Sequence, residues 1–154
     1  MTKTVAALLF LGTLSTGAFG YDLQKAKDFE KFYAGMTQKA CADSKLFISA
    51  TDTMQLIKED KAYLILDVRT QGEFSVMGVN LKKSLHIPIE HLFKKENLDK
   101  LPTNIPVIVT CHSGTRGLMA AMALKQSGFT NIQVLKGGLI ALADANTPAN
   151  APMQ

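Results

Sequence analysis

The chain has 154 residues, of which 47% are hydrophobic, and a formal net charge of +4. This length suits one domain and is too short for two. The lysines are scattered and aromatic residues make up 7% of the chain, so no nucleic-acid partner is expected. Three histidines and two cysteines share no short spacing, and we therefore predict no metal site.

Residues 1–20 have the pattern of an export signal. Lys3 precedes an apolar stretch over residues 5–14, and Ala18-Phe19-Gly20 places small residues where a signal peptidase cleaves. We expect a mature protein that starts at Tyr21, is periplasmic or secreted, and is not stably inserted in a membrane. Loss of Lys3 lowers its formal net charge from +4 to +3. An uncleaved anchor is the alternative, because the segment after Lys3 carries no charged side chain.

Residues 21–45 are predicted to form a helical extension. Apolar side chains recur there every three or four residues, with Lys25, Asp28, Lys31 and Lys39 between them, which is typical of an amphipathic helix. These apolar positions are Leu23, Ala26, Phe29, Phe32, Tyr33, Met36 and Ala40. A helix that packs on the domain or spaces it from a membrane is the simpler interpretation, and a partner-binding helix is the alternative.

Residues 46–145 alternate short apolar strands with helices, which predicts an α/β domain. Strands are expected at 47–49, 62–67, 84–87, 105–110 and 132–135, and helices at 51–58, 90–101, 116–127 and from 138 to about 145, with a helical turn from Glu73. Such alternation gives a mainly parallel sheet with helices on both faces, and its functional loops gather at the carboxyl ends of the strands. Residues 146–154 are polar and are expected to be a flexible tail.

The turn that opens with Cys111 has the pattern of a nucleophilic site. It follows a buried strand and precedes a helix rich in alanine and leucine, so the thiol lies over a helix N-terminus. The backbone N–H groups there favour thiolate over thiol, and Arg116 adds a positive charge. Gly114 and Gly117 allow the backbone to turn its amides inward and hold an anion. The sequence therefore predicts an activated cysteine.

The pattern Cys-x-x-Gly-x-Arg from Cys111 to Arg116 resembles the active-site loop of the rhodanese family. It resembles less closely the loops of protein-tyrosine phosphatases, in which the spacing from Cys to Arg is one residue longer. Other rhodanese motifs follow in order: Asp67-Val68-Arg69, Glu73-Phe74, His86-Ile87-Pro88 and Leu135-Lys136-Gly137-Gly138. Residues 46–145 are therefore similar to a single rhodanese domain. The histidine that usually follows the Glu-aromatic pair and the tryptophan that usually follows the Gly-Gly pair are absent, which leaves substrate choice open.

The resemblance implies a sulfurtransferase that needs no cofactor. Cys111 would take sulfane sulfur from a small anion such as thiosulfate or a polysulfide, form a persulfide, and pass the sulfur to cyanide, a thiol or a protein cysteine. The substrate-binding loop would comprise His112, Ser113, Gly114, Thr115 and Arg116. Among the supporting residues, Arg69 is expected to pair with Glu73, and Asp67 to brace the loop backbone. Arg116 is expected to face the loop and steady the anionic donor or persulfide.

Other interpretations of the same motifs remain open. The domain could be a sulfur-binding or delivery module that serves a dedicated protein partner, a phosphatase or arsenate reductase on the same scaffold, or an inactive binding domain. Cys41 suggests a disulfide with Cys111 in an oxidising compartment. Because a permanent bridge would block the nucleophile, we favour a reduced or resolving role for Cys41.

Overall fold

The computed structural model describes residues 20–152. Contacts divide the chain into two compact units, with the boundary between Ala42 and Asp43. All but the last residue of the predicted export signal lies outside the described residues. Within residues 20–152, no helix is both long enough and apolar enough to cross a membrane.

Two helices precede the first strand, where one helix was predicted. Helix α1 spans Leu23–Tyr33 and α2 spans Gln38–Asp43. Gly35, which is unfavourable inside a helix, lies in the break between them. The Thr37 hydroxyl accepts a hydrogen bond from the Ala40 N–H and so starts the second helix. The prediction of one continuous helix was therefore wrong, because Gly35 and the cap at Thr37 end one helix and start another although the apolar periodicity continues through this segment.

The second unit is built on a five-stranded sheet in which every pairing is parallel. Its strands are β1 (Phe47–Ile48), β2 (Leu64–Asp67), β3 (Ser84–His86), β4 (Val107–Thr110) and β5 (Ile132–Leu135). They lie in the order β1-β5-β4-β2-β3, so β4 is central. All four residues of β4 are buried, which explains its continuous run of apolar side chains and threonine. The predicted α/β class and parallel sheet are confirmed.

Helices connect the strands, and two predictions about them were wrong: the cap of α3 and the single helix over residues 90–101. The helices are α3 (Ala50–Lys58), α4 (Gln71–Val76), α5 (Ile89–Leu92), α6 (Lys95–Leu98), α7 (Thr115–Gln126) and α8 (Gly138–Ala145). Ser49, rather than Thr51 or Asp52, caps α3 by accepting a hydrogen bond from the Asp52 N–H. The helix predicted over 90–101 is divided into α5 and α6, because Lys94 between them has an extended backbone.

Alternate residues of the central strands build a separate core on each face of the sheet. On one face Leu66 and Val109 pack in a cluster with Ala121 and Leu124 of α7. On the other face Ile65 and Ile108 belong to a cluster formed with α3 and α8, whose members include Met54, Ile57, Leu139 and Leu142. Burial of this apolar surface holds α7 and α8 to the sheet, and both helices begin at its carboxyl edge.

The chain continues past α8 in a series of turns. The Lys58 ammonium donates a hydrogen bond to the Ala149 carbonyl, with 2.9 Å between Nζ and O, and the Asn150 side-chain amide donates to the Ala145 carbonyl. These bonds attach the described part of the tail to α3 and α8. The flexibility predicted for residues 146–154 stays a prediction.

Candidate active site

The strand register brings the sequence motifs to one edge of the sheet. Asp67 at the end of β2 is paired with Thr110 at the end of β4, and with His86 at the end of β3. Because these strands are parallel, the segments that begin at Val68 and at Cys111 leave the sheet side by side. The carboxyl edge therefore carries both the cysteine loop and the Asp-x-Arg motif.

Cys111 lies at the base of its loop with its sulfur turned toward the start of α7. The residue is 1% exposed. The backbone N–H of Gly114 donates to the Cys111 sulfur, with 3.2 Å between N and Sγ. Gly114 is the N-cap of α7 and has φ of 108°, which favours glycine. The N–H group and the helix N-terminus both stabilise negative charge on the sulfur.

The Gly137-Gly138 turn and the residues after it hold the cysteine loop through backbone hydrogen bonds. The N–H groups of Leu139 and Ile140 donate to the carbonyl oxygens of Cys111 and His112, over 2.9 and 3.3 Å. Gly138 has φ of 64°, and a Cβ at this position would lie 2.6 Å from each of those two oxygens. Only glycine fits there, so the structure gives a physical reason for the Gly-Gly pair. Sequence reasoning noted the pair as a motif but missed this contact.

Arg116 forms a bidentate ion pair with Glu73. Its two terminal nitrogens donate to the two carboxylate oxygens over 2.7 and 2.6 Å, and each side chain is 34% exposed. Hydrogen bonds to Glu73 raise the pKa of Arg116 above its ordinary value, and the nearby Cys111 sulfur adds to this shift. Arg116 thus lies beside the sulfur, but its charge is already paired with a carboxylate.

Arg69 pairs with Asp67, so the predicted Arg69–Glu73 pair was wrong. The Arg69 Nη2 donates to Asp67 Oδ2 over 2.6 Å and to the Met77 carbonyl over 2.5 Å. Arg69 and Asp67 are 2% and 1% exposed. Asp67 also accepts the Arg69 backbone N–H. Asp67 therefore braces the loop after β2. Although Arg69 and Glu73 are close in sequence, Arg69 binds Asp67 and Glu73 binds Arg116.

Glu73 has a second role at the start of α4. The Thr70 backbone N–H donates to Glu73, and the Glu73 N–H donates to the Thr70 hydroxyl, which forms a capping box. The pKa of Glu73 lies far below its usual range. The hydrogen bonds from Arg116 are the largest cause of this shift, and the hydrogen bond from the Thr70 N–H is the next. The pattern Thr-x-x-Glu indicates such a cap in the sequence. The ion pair of Glu73 with Arg116 has no local sequence pattern that indicates it.

The remaining predicted loop residues face outward or build the turn. His112, Ser113 and Thr115 are exposed, so their side chains form the rim of the site. His86 lies behind it, where its ring stacks on Phe74 at 4.1 Å between centroids and its Nε2 is 2.9 Å from the Arg69 carbonyl oxygen. Over residues 20–152 there is no group of three metal-ligating side chains. The arrangement therefore presents one buried thiol at a helix N-terminus.

Comparison with known proteins places this architecture in a family. Residues 49–145 match the Rhodanese-like domain. The chain is 30% identical over 105 residues to a sulfurtransferase of Allochromatium vinosum, an alignment that covers 68% of this chain and 94% of that protein. It is similar in fold to a rhodanese-related protein from Thermoplasma volcanium, with 31% identity and a TM-score of 0.55 over 66% of this chain and 94% of that one. The chain belongs to the rhodanese family.

Longer relatives contain a similar region as one part. The adenylyltransferase and sulfurtransferase MOCS3 of Arabidopsis thaliana is 29% identical over 144 residues. That alignment covers 82% of this chain but 30% of the Arabidopsis protein. The rhodanese-like region therefore occurs both in short proteins and within longer ones.

Proposed function

We propose that this protein is a rhodanese-type sulfurtransferase that carries sulfane sulfur on Cys111. The observation that carries the proposal is the Cys111 sulfur held by the Gly114 N–H at the N-terminus of α7. Membership of the rhodanese family and similarity to a protein named as a sulfurtransferase support sulfur transfer in general. The donor is proposed to be thiosulfate or a polysulfide, and the acceptor cyanide, a thiol or a protein cysteine.

The reaction has two steps. The Cys111 thiolate attacks the outer sulfur of the donor, the bond between that sulfur and the rest of the donor breaks, and the remainder leaves with the electron pair. This forms Cys–S–S⁻, whose inner sulfur keeps the position beside the Gly114 N–H. A thiophilic acceptor then attacks the terminal sulfur and restores the thiolate, so the protein cycles between two covalent states.

Intact-mass spectrometry of the purified protein tests this proposal. After exposure to thiosulfate or polysulfide we expect a gain of one sulfur atom, which cyanide removes. Cys111→Ala should show no gain and keep its circular dichroism spectrum. Cys41→Ala serves as the matched cysteine control and should gain sulfur normally. A sulfur adduct that persists in Cys111→Ala would contradict the assignment.

A sulfur-delivery module for a dedicated partner is the second candidate, and the N-terminal helix favours it. None of the side chains of α1 is buried. Phe29 and Tyr33 are 46% and 45% exposed, and their rings stack with 6.3 Å between centroids. Exposed aromatic side chains on a helix are a common basis for protein recognition. Removal of residues 21–42 would reduce transfer to a protein acceptor under this candidate, while transfer to cyanide stays the same.

Export to the periplasm or beyond is also a proposal, based on the composition of residues 1–20. Cleavage after Gly20 would produce a chain that begins at Tyr21. N-terminal sequencing of protein recovered from the periplasmic fraction tests both the location and the cleavage position. Recovery of an uncleaved protein in the membrane fraction would favour the anchor instead.

A further inference from the structure

A polar cavity lies at the amino edge of the sheet, at the opposite end of β4 from the cysteine loop. Its volume is about 330 Å³, and its walls are residues 103–106 and 130–133, together with Lys45 before β1 and Lys125 of α7. All of these residues belong to the second compact unit. Because β4 has four residues, about 13 Å of strand separates the cavity from Cys111. A ligand in this cavity is therefore remote from the reactive sulfur.

The Asn131 side chain fixes one wall of the cavity. Its amide nitrogen donates to the carbonyl oxygen of Pro102 over 2.8 Å and also to that of Ile105, so it holds both ends of the turn before β4. Its Oδ1 is buried and has no hydrogen-bond partner within residues 20–152, which costs free energy. The two donated bonds therefore decide the orientation of this amide. The wall is formed before a ligand arrives, which lowers the cost of binding.

The charged side chains around the cavity are both lysines. No aspartate or glutamate of the described residues lines it, and neither Lys45 nor Lys125 forms an ion pair over residues 20–152. Lys125 is half-buried, and its Nζ lies 3.5 Å from the Thr130 carbonyl oxygen, which is long for a hydrogen bond. The two positive charges are thus not offset by carboxylates in the wall, and they attract an anion.

Neutral polar groups beside the lysines have unused hydrogen-bonding capacity. In the part of the chain that the structure describes, the backbone N–H groups of residues 103–105 donate to no protein acceptor. Backbone N–H groups of this kind bind the oxygens of anions. Gln133 donates its Nε2 to the Lys45 carbonyl over 3.0 Å, which leaves its Oε1 to accept a hydrogen bond. Thr103 and Thr130 add two hydroxyl groups to the lining.

We propose that this cavity binds a small phosphomonoester that also carries hydroxyl groups, such as a sugar phosphate. The phosphate contacts Lys45, Lys125 and the N–H groups of residues 103–105, since a lysine ammonium binds phosphate as a point charge. The ligand hydroxyls contact Gln133 and Thr130. The volume of about 330 Å³ is larger than inorganic phosphate fills and lies in the range of sites for small organic ligands. This site is separate from the proposed sulfur transfer on Cys111.

An NMR titration of the ¹⁵N-labelled protein with glucose 6-phosphate tests the site. We expect shifts of the amide signals of Lys45, Thr130, Gln133 and residues 103–105, and none of residues 111–116. Glucose and inorganic phosphate, titrated separately, should each bind about tenfold more weakly or less, because each makes only part of the contacts. Added salt should weaken binding of glucose 6-phosphate, because it screens the lysines. Shifts confined to residues 111–116, no shifts at all, or equal affinity for glucose or inorganic phosphate would overturn the inference.

Lysine variants test the origin of the affinity. Lys45→Gln and Lys125→Gln should each weaken binding of glucose 6-phosphate by about fivefold or more, because a hydrogen bond to a charged group is lost. Lys94→Gln is the matched control. It removes the same charge from an exposed lysine outside the cavity, and it should leave the affinity within about twofold. Equal affinities in all three variants would show that the cavity lysines do not bind the phosphate.

Sulfur loading of Cys111 separates this site from the proposed function. The three lysine variants should form the Cys111 persulfide at the rate of the wild type, because the changes lie at the other end of the sheet. Weakened binding of glucose 6-phosphate with normal sulfur loading supports a separate site. If no donor loads Cys111 in any of these proteins, the proposed function fails, and the titration still decides whether the cavity binds the phosphomonoester. Urea unfolding curves confirm that the compared variants are folded.

Discussion

Arg116 reaches across 43 residues of sequence to place its two terminal nitrogens on the two carboxylate oxygens of Glu73. Bidentate pairs of this kind fix orientation as well as charge. The pair joins α4 to α7 and holds a guanidinium beside the Cys111 sulfur. Glu73 is thus a positioning residue for the cysteine loop, in addition to capping its own helix.

The pH dependence of the Arg116–Glu73 pair follows from the lowered pKa of Glu73. A carboxyl group whose pKa is lower in the folded protein contributes stability above its ordinary pKa and loses that contribution as the pH falls toward the folded value. We therefore expect the difference in unfolding free energy between the wild type and Glu73→Gln to be constant from about pH 6 to pH 8 and to shrink below about pH 4.5. Urea unfolding curves across this range provide the measurement, and a difference that grows on acidification would contradict the assignment.

Removal of Arg69 should destabilise the protein strongly. Arg69→Ala leaves the Asp67 carboxylate buried without its ionic partner, which costs about 3–5 kcal/mol of unfolding free energy. Lys95→Ala is the control, because the exposed pair of Lys95 with Asp99 contributes less than about 1 kcal/mol. Denaturant unfolding of the two variants measures the difference. A loss in Arg69→Ala as small as that in Lys95→Ala would show that the buried pair is not a structural requirement.

An alanine at position 138 should displace the cysteine loop. The new Cβ would overlap the carbonyl oxygens of Cys111 and His112, and the positive φ adds strain. We expect Gly138→Ala to lower the rate of persulfide formation by about a hundredfold, since a displacement of about an ångström at a reacting group has effects of this size. Gly128→Ala is the control, because Gly128 also has positive φ but a Cβ added there would meet no atom within 4 Å. Equal rates in the two variants would rule out the steric role of Gly138.

Cys41 is expected to have no part in the first sulfur transfer. The two cysteines are not joined by a disulfide in the structure, where Cys41 is exposed and Cys111 is buried. Cys41→Ala should therefore form the Cys111 persulfide in a single turnover at a rate within about twofold of the wild type, because one thiolate is sufficient for the step. Rapid-quench mass spectrometry measures this rate. A folded Cys41→Ala protein that cannot be loaded would assign the second cysteine a direct role.

Local sequence patterns determined much of this protein. The alternation of apolar strands with helices is sufficient to predict a parallel sheet, because strands buried on both faces need apolar side chains throughout. The turn from Cys111 to Gly114 predicts a thiol at a helix N-terminus, because it lies directly between an apolar strand and a helix. Short-range capping is also encoded locally, in Ser49 for α3 and in Thr70 with Glu73 for α4.

The pairing of charges was decided by the tertiary structure. Arg69 and Glu73 are four residues apart, yet the Arg69 side chain donates to the buried carboxylate of Asp67, the last residue of β2. The packing of α4 and α7 then leaves Glu73 opposite Arg116. Sequence alone could not rank these partners, because the energy of an ion pair depends on distance and burial. Likewise, the steric need for Gly138 exists only once β5 and β4 lie side by side, because a Cβ at position 138 then meets the Cys111 and His112 carbonyl oxygens.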